Sequence, residues 1–589
     1  MVRLVKLCKQ GIPRPVLISL MHVPLIVCLA FGNENSKLSK ELQGRTRDSD
    51  VRVIVQFKQD PGEADHQRTL RSGGDLHLKL HAVSGGAYTV PASALADLEN
   101  DPNVAHVSLD HNVVARSDDN TVAAVNAATA WQTYGVQGAG IGVAIIDSGF
   151  QPHGDIDGSR FVYKQDFIGG DSNDRYGHGT HVAGIIGSNG HASSCNSCFQ
   201  TYEGIAPQAN LINLRVLDKN GATTESAVIA AIDQAIALKS KYNIRVINLS
   251  LGRPVFESYT IDPLCQAAEA AWKAGIVVVV AAGNDGRDNS FNNQGYGTID
   301  SPGNDPYVIT VGAMKTMGTD TRADDLIASY SSKGPTVLDG VVKPDLVAPG
   351  NLIVSQVAPG GNATLIKSFP QNQVTVGMFN SSGDPRGVSA DYYILSGTSM
   401  AAAVVSGAVA DLLQAHPTLT PDQVKARLMK TASKTFPKSS VAVDPTTGIA
   451  YTSQYDIFTV GAGYLDLAAA LANSDMAAGT ARSPIAVYYP ASATVSLFFD
   501  PSSIWGKSAA WGTSAAWGTS VFNANSSLAG SSAAWGTSAA WNTSAAWGTS
   551  AAWGTSAAWG TSAARATSGA WATSTSSTEG VPVQIAGEQ

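Results

Sequence analysis

Val143-Ala144-Ile145-Ile146-Asp147-Ser148-Gly149 is an apolar run that ends on a carboxylate and a glycine. A run without polar alternation reads as a strand covered on both faces. Similar runs follow at Leu211 to Val216, Val246 to Leu251 and Ile276 to Ala282. Between them Val228, Ile232 and Ile236 recur at helical spacing, and Asp262-Pro263 and Gly275 give the next helix a start and a stop. This β-α-β-α alternation predicts an α/β fold, a mostly parallel sheet between layers of helices. Its ligand crevice is expected at the carboxyl ends of the strands. Asp147 falls there.

The rest of the 589-residue chain bounds the function. Apolar residues make 44% of it and charged residues only 15%, well under the roughly 25% of average globular chains. Lys plus Arg total 39 against 47 Asp plus Glu, a net charge of −8 with no long basic run, which argues against nucleic acid as a partner. At the amino end, Arg3, Lys6, Lys9 and Arg14 precede an apolar stretch from Val16 to Phe31. At about 16 residues it is short of the roughly 20 that span a bilayer, so residues 1–32 read as a secretory signal and the product as secreted. Cys195, Cys198 and Cys265 then remain; the first two sit in a Ser/Asn-rich loop that suits a local disulfide or a plain pair of thiols better than half a zinc site.

Three further segments carry candidate chemistry. Gly177-His178-Gly179-Thr180-His181 opens an apolar, small-residue helix. No Glu lies between its histidines, which disfavours a metal-binding helix, whereas an imidazole held by a carboxylate is a general base. Ser396-Gly397-Thr398-Ser399-Met400-Ala401 puts a hydroxyl where a long helix starts, either a plain cap or a nucleophile beside free N–H groups. Val280-Ala281-Ala282-Gly283-Asn284 ends a strand on an amide that either turns the chain or donates to a developing oxyanion.

Asp147, His178, Asn284 and Ser399, in that chain order, resemble the subtilisin-like serine proteases, as do Lys343-Pro344-Asp345-Leu346-Val347-Ala348-Pro349-Gly350 and Gly461-Ala462-Gly463-Tyr464. The resemblance implies a subtilisin-like three-layer fold and a serine endopeptidase acting on proteins or peptides, with Ser399 as nucleophile, His178 as base, Asp147 as its orienter and Asn284 in the oxyanion hole. It further implies that Ser250, Leu251 and Gly252 pair with the substrate, and that Ala281, Ala282 and Gly283 line the opposite side of the first specificity pocket. Walls of small residues suggest large apolar substrate side chains and broad specificity. No cofactor is implied for the chemistry; structural calcium fits the family, without ligands assigned here. Asp171, Asn173 and Asp174 form either a cation site or a solvated turn. Two departures stand out: Ala403 replaces a usual proline, and residues 351–390 form an insertion.

Residues 50–115 resemble an inhibitory propeptide of small α+β design. The implied product is a zymogen that cleaves itself near Ala115 to Asp119 and is inhibited by this segment. The peptidase domain is expected over 120–474 and a repeat tail over 475–589. In that tail nine of the eleven tryptophans, all but Trp131 and Trp272, keep one phase of six from Trp505 to Trp571. Six is even, so an extended chain would align them on one face while a helix would scatter them, which favours β-rich or irregular structure. The tail suggests self-association or attachment at the cell surface. The competing functional reading is a display or glycan-binding protein acting through stacked tryptophans, with proteolysis secondary.

Overall fold

A computed structural model describes residues 36–39, 42–43, 50–110, 120–290, 293–382, 384–444, 447–489, 494–500, 502–506 and 587–588. The signal stretch, the 115–119 segment and the repeats after Trp505 lie outside the described residues. The chain divides into two compact units, 1–113 and 114–589.

In the first unit, β1 (Asp50–Phe57), β2 (Asp75–Leu80), β3 (Gly85–Pro91) and β4 (Val104–Leu109) form an antiparallel sheet ordered β2-β3-β1-β4. The alternation in β1 turns Val51, Val53, Val55 and Phe57 inward against Tyr88, Val90, Leu95, Leu98 and Val107. Helices at Glu63–Arg71 and Leu95–Asn100 complete an α+β module.

The second unit is built on β5 (Gly142–Asp147), β6 (Phe161–Asp166), β7 (Asn210–Arg215), β8 (Ile244–Leu249), β9 (Val277–Ala281), β10 (Ile309–Lys315), β11 (Leu326–Ile327) and β12 (Leu346–Pro349). Their order is β11-β10-β9-β8-β5-β7-β6 with β12 also on β10; every pair is parallel except β10 with β11. Strand order reverses at β5, which has β7 on one side and β8 on the other, so a crevice opens at the carboxyl end of β5. Asp147 is the last residue of that strand.

Helix Thr398–Ala415 is apolar and long enough to cross a membrane, but it is buried as the core helix of this unit. Small residues make that possible: a Cβ on Gly407 would lie 2.7 Å from Ile205 Cβ, so the backbones there approach too closely for any side chain. Ala403, at the position that departs from the family, is fully buried within this helix.

The 351–390 insertion is structured. It contributes β13 (Ile353–Gln356), β14 (Gln373–Thr375) and the start of β15 (Val388–Leu395), ordered β13-β15-β14. Val354, Val374, Phe379 and Tyr392 pack there against Tyr202, joining the insertion to the loop that holds the Cys195–Cys198 disulfide. Cys265 is buried and unpaired by any disulfide.

The core also runs past 474, where the catalytic region was expected to end. Ala477, Ala481, Leu497, Ile504 and Trp505 belong to the main cluster of the second unit, and the Trp505 indole N–H donates to Arg482 C=O at 2.8 Å. Trp505 shares the phase of the repeats, yet it is a core residue of the folded unit.

Candidate active site

Three local structures converge at the end of β5. Helix His178–Gly187 begins on the first imidazole after Gly177, whose φ of +110° only glycine adopts without strain. Asp174 anchors this start: its carboxylate accepts from Gly177 N at 2.6 Å, Thr180 N at 2.8 Å, Thr180 Oγ1 at 2.7 Å, Tyr176 N at 3.1 Å and Ser148 Oγ at 2.9 Å. The Ser148 hydroxyl in turn accepts from Gly179 N at 2.8 Å. Asp174 is thus committed to protein donors, and Asp171 pairs with Arg175 at 2.8 Å. These residues do not fit a calcium ion. Among the described residues no cluster of three or more His, Cys, Asp or Glu could hold a metal.

Asp147 is fully buried and takes His178 Nδ1 on both carboxylate oxygens, at 2.8 and 3.0 Å. Burial opposes the imidazolium, yet the charge and hydrogen bond of Asp147 outweigh it, and His178 is held above the ordinary histidine value. His181, one turn on, behaves oppositely. Its Nε2 donates to Ile353 C=O at 3.0 Å and Tyr393 C=O at 3.1 Å, and burial together with the charge of His178 lowers it to about 3. It is a neutral packing residue that ties the His helix to the insertion.

Ser399 lies in the first turn of helix Thr398–Ala415, where backbone N–H groups have no intrahelical acceptor. Its hydroxyl donates to Ser250 C=O at 3.2 Å, and no hydrogen bond joins it to His178. Asn284 Oδ1 accepts from Thr398 N at 2.9 Å and Thr398 Oγ1 at 3.1 Å. That fixes the amide by its oxygen and leaves its NH2 group with no acceptor among the described residues.

His178, Asn284 and Ser399 line one cavity of about 440 Å³ with Ser250, Leu251, Gly252, Ala281 and Gly283. Ala282 is not among the lining residues; it is buried, and its N–H donates to Val311 C=O at 3.0 Å. Two residues escaped the sequence reading. Asp174 was taken for a turn or cation site; its grip on Tyr176 N and Gly177 N, two and three residues on, is an Asx-type turn that leads into the helix. Asp300 also lines the cavity, and no motif points to it.

The subtilase family model matches residues 138–459. Serine protease AprX of Bacillus subtilis (strain 168) is 34% identical over 415 residues, covering 67% of this chain and 85% of that protein. Subtilisin E from the same strain is 31% identical over 424 residues, covering 70% and 92%. The extracellular serine proteinase of Thermus sp. (strain Rt41A) is 34% identical over 403 residues, covering 65% and 80%.

Proposed function

The chain belongs to the subtilase family, and from that premise we propose that it is a serine endopeptidase with Ser399 as nucleophile, His178 as general base and Asp147 as the group that orients it. The observation that carries this reading is the two-oxygen grip of Asp147 on His178 Nδ1, beside a cavity lined by both His178 and Ser399.

A turn of the Ser399 side chain away from Ser250 C=O brings its hydroxyl toward His178 Nε2. His178 takes the proton as Oγ bonds to the substrate carbonyl carbon. The oxygen of the tetrahedral intermediate accepts from the Asn284 NH2 group and the Ser399 backbone N–H. Collapse expels the amine, which leaves with the proton from His178, and water repeats the sequence to release the acid. The edge of Ser250, Leu251 and Gly252 pairs with the substrate main chain, opposite a wall of Ala281 and Gly283. Residues 1–32 serve export, 50–115 act as an inhibitory propeptide removed near Ala115 to Asp119, and the repeats from Trp505 to Trp571 serve association. The chain's own side chains and backbone N–H carry out the hydrolysis with water.

Labelling by a fluorophosphonate and digestion of a peptide library test the assignment. The unmodified chain is expected to label and cleave, and Ser399→Ala to lose both, with turnover falling about 10⁶-fold. Equal cleavage by both forms overturns it. Because His178 must be neutral to act as base, and its proton is held more tightly than usual, the acid limb of kcat/KM is expected above pH ~6.5. An Asp147→Asn chain should move that limb to lower pH and lose about 10⁴-fold in kcat.

A further inference from the structure

Asp300 stands between the two walls of the cavity. A Cβ on Gly252 would lie 2.9 Å from Asp300 Cβ, and one on Gly283 would lie 2.8 Å from Asp300 Oδ2. The glycines make room for this side chain, and its backbone is fixed by Asp300 N donating to Ala282 C=O at 3.0 Å. The carboxylate accepts no hydrogen bond from any described residue. Arg253, the cation whose charge reaches it, is engaged elsewhere, by Glu225 and by Asp262 at 3.1 Å. Burial and the neighbouring charge of Asp285 push the Asp300 carboxyl well above its usual range, against the pull of Arg253. A partly buried acid without a partner, at the side of a substrate cavity, is complementary to a cation from outside.

We propose that Asp300 sets the specificity of the site by receiving the ammonium or guanidinium of a Lys or Arg side chain immediately before the scissile bond. This rests on the endopeptidase reading and replaces the apolar preference expected from the small walls. The test uses two peptides that differ only at that residue, Arg against Leu, with the full chain and with Asp300→Asn. The unmodified chain is expected to cleave the Arg peptide with at least 10-fold higher kcat/KM. Asp300→Asn should lower that value about 10- to 100-fold and leave the Leu peptide within 3-fold. An unchanged Arg-to-Leu ratio in Asp300→Asn, or an apolar preference in the unmodified chain, overturns the proposal. Fluorophosphonate labelling separates the two readings: a chain that neither labels nor cleaves either peptide fails the endopeptidase reading itself.

A second site stands on independent observations. Glu588 is buried in the second unit, its carboxylate against Arg287 at 2.6 Å, Lys315 at 3.3 Å, Ser329 N at 3.0 and 3.1 Å, and the Ser329 hydroxyl. Asn351 clasps its backbone from both sides, accepting from Glu588 N at 2.8 Å and donating to Glu588 C=O at 2.7 Å. Although burial opposes the charge, Lys315, Ser329 and Arg287 keep the carboxyl below its usual range. Gly587 is matched to the same place: a Cβ there would lie 2.3 Å from Leu352 Cδ2 and 2.8 Å from Ser396 Oγ.

We infer that Arg287, Lys315, Ser329 and Asn351 form a socket for a Gly-Glu peptide segment, filled by Gly587–Glu588. The repeat-bearing stretch is thereby tied to the folded unit at both ends, at Trp505 and at Glu588. Hydrogen–deuterium exchange on the full Ser399→Ala chain tests it, with Glu588→Lys as the variant and Glu579→Lys as the charge control. Protection of the Ser329 and Glu588 amides is expected, with exchange at least 10-fold faster in Glu588→Lys and unchanged in the control. Exchange at the 587–589 segment already at the unprotected rate, or indifferent to Glu588→Lys, overturns the inference.

Discussion

Asp345 and Asp300 lie on the same folded unit and meet opposite surroundings. Asp345 is fully buried, with Lys343 Nζ at 2.7 Å and Lys425 Nζ at 3.0 Å, and it accepts from Thr310 N at 2.8 Å and Ser483 Oγ at 2.5 Å. Burial opposes its charge, but the two lysines overcome that and hold the carboxyl below its usual value. Burial and the like charge of Asp285 raise the Asp300 carboxyl against the pull of Arg253, and among the described residues no donor reaches it. One carboxylate finds its counter-charge inside the chain and is structural; the other feels only Arg253, which is already engaged by Glu225 and Asp262.

Removing each charge tests that contrast. Asp345→Ala leaves two lysines in a closed interior and should destabilise the Ser399→Ala chain by about 3–5 kcal/mol in urea unfolding. Because the folded-state value of Asp345 is depressed, its contribution should be full above the unfolded-state pKa, about 3.9, and fade as pH falls through the lower folded value. A stability loss under 1 kcal/mol would erase the distinction. Asn284 combines both conditions, its oxygen held by Thr398 and its NH2 group open. Asn284→Ala should lower kcat about 10²- to 10³-fold, equivalent to about 2.7–4 kcal/mol, with KM little changed, as steady-state kinetics would show. Asp300→Asn should do least to the fold, changing unfolding free energy by less than about 1 kcal/mol, since nothing donates to the carboxylate and the charge lost faces Asp285. A larger loss would make Asp300 a structural residue like Asp345.

Much of the folded unit was legible because its signals are local. Four apolar runs gave β5, β7, β8 and β9 to within a residue or two at each end, because strands covered on both faces carry no alternation to confuse them. Asp147, His178, Asn284 and Ser399 were legible because each sits where a strand ends or a helix begins, and those ends carry glycines that print in the sequence. The part played by Asp174 was missed because five donors satisfy it across a folded turn, and only two of them follow it within three residues. Trp505 was grouped with the repeats because phase is a property of the chain, while its burial against Arg482 depends on a contact 23 residues away.

The sequence by itself determined the alternation of strands and helices, and with it the rim on which a carboxylate, an imidazole, an amide and a hydroxyl gather. Periodicity and chain punctuation act over a few residues, so they survive in a linear reading. Tertiary structure alone decided which charges are answered. Asp345 met Lys425, Glu588 met Arg287, and Asp300 met only a cation already engaged by Glu225 and Asp262, because electrostatic partnership depends on distances in space between residues that the chain keeps far apart.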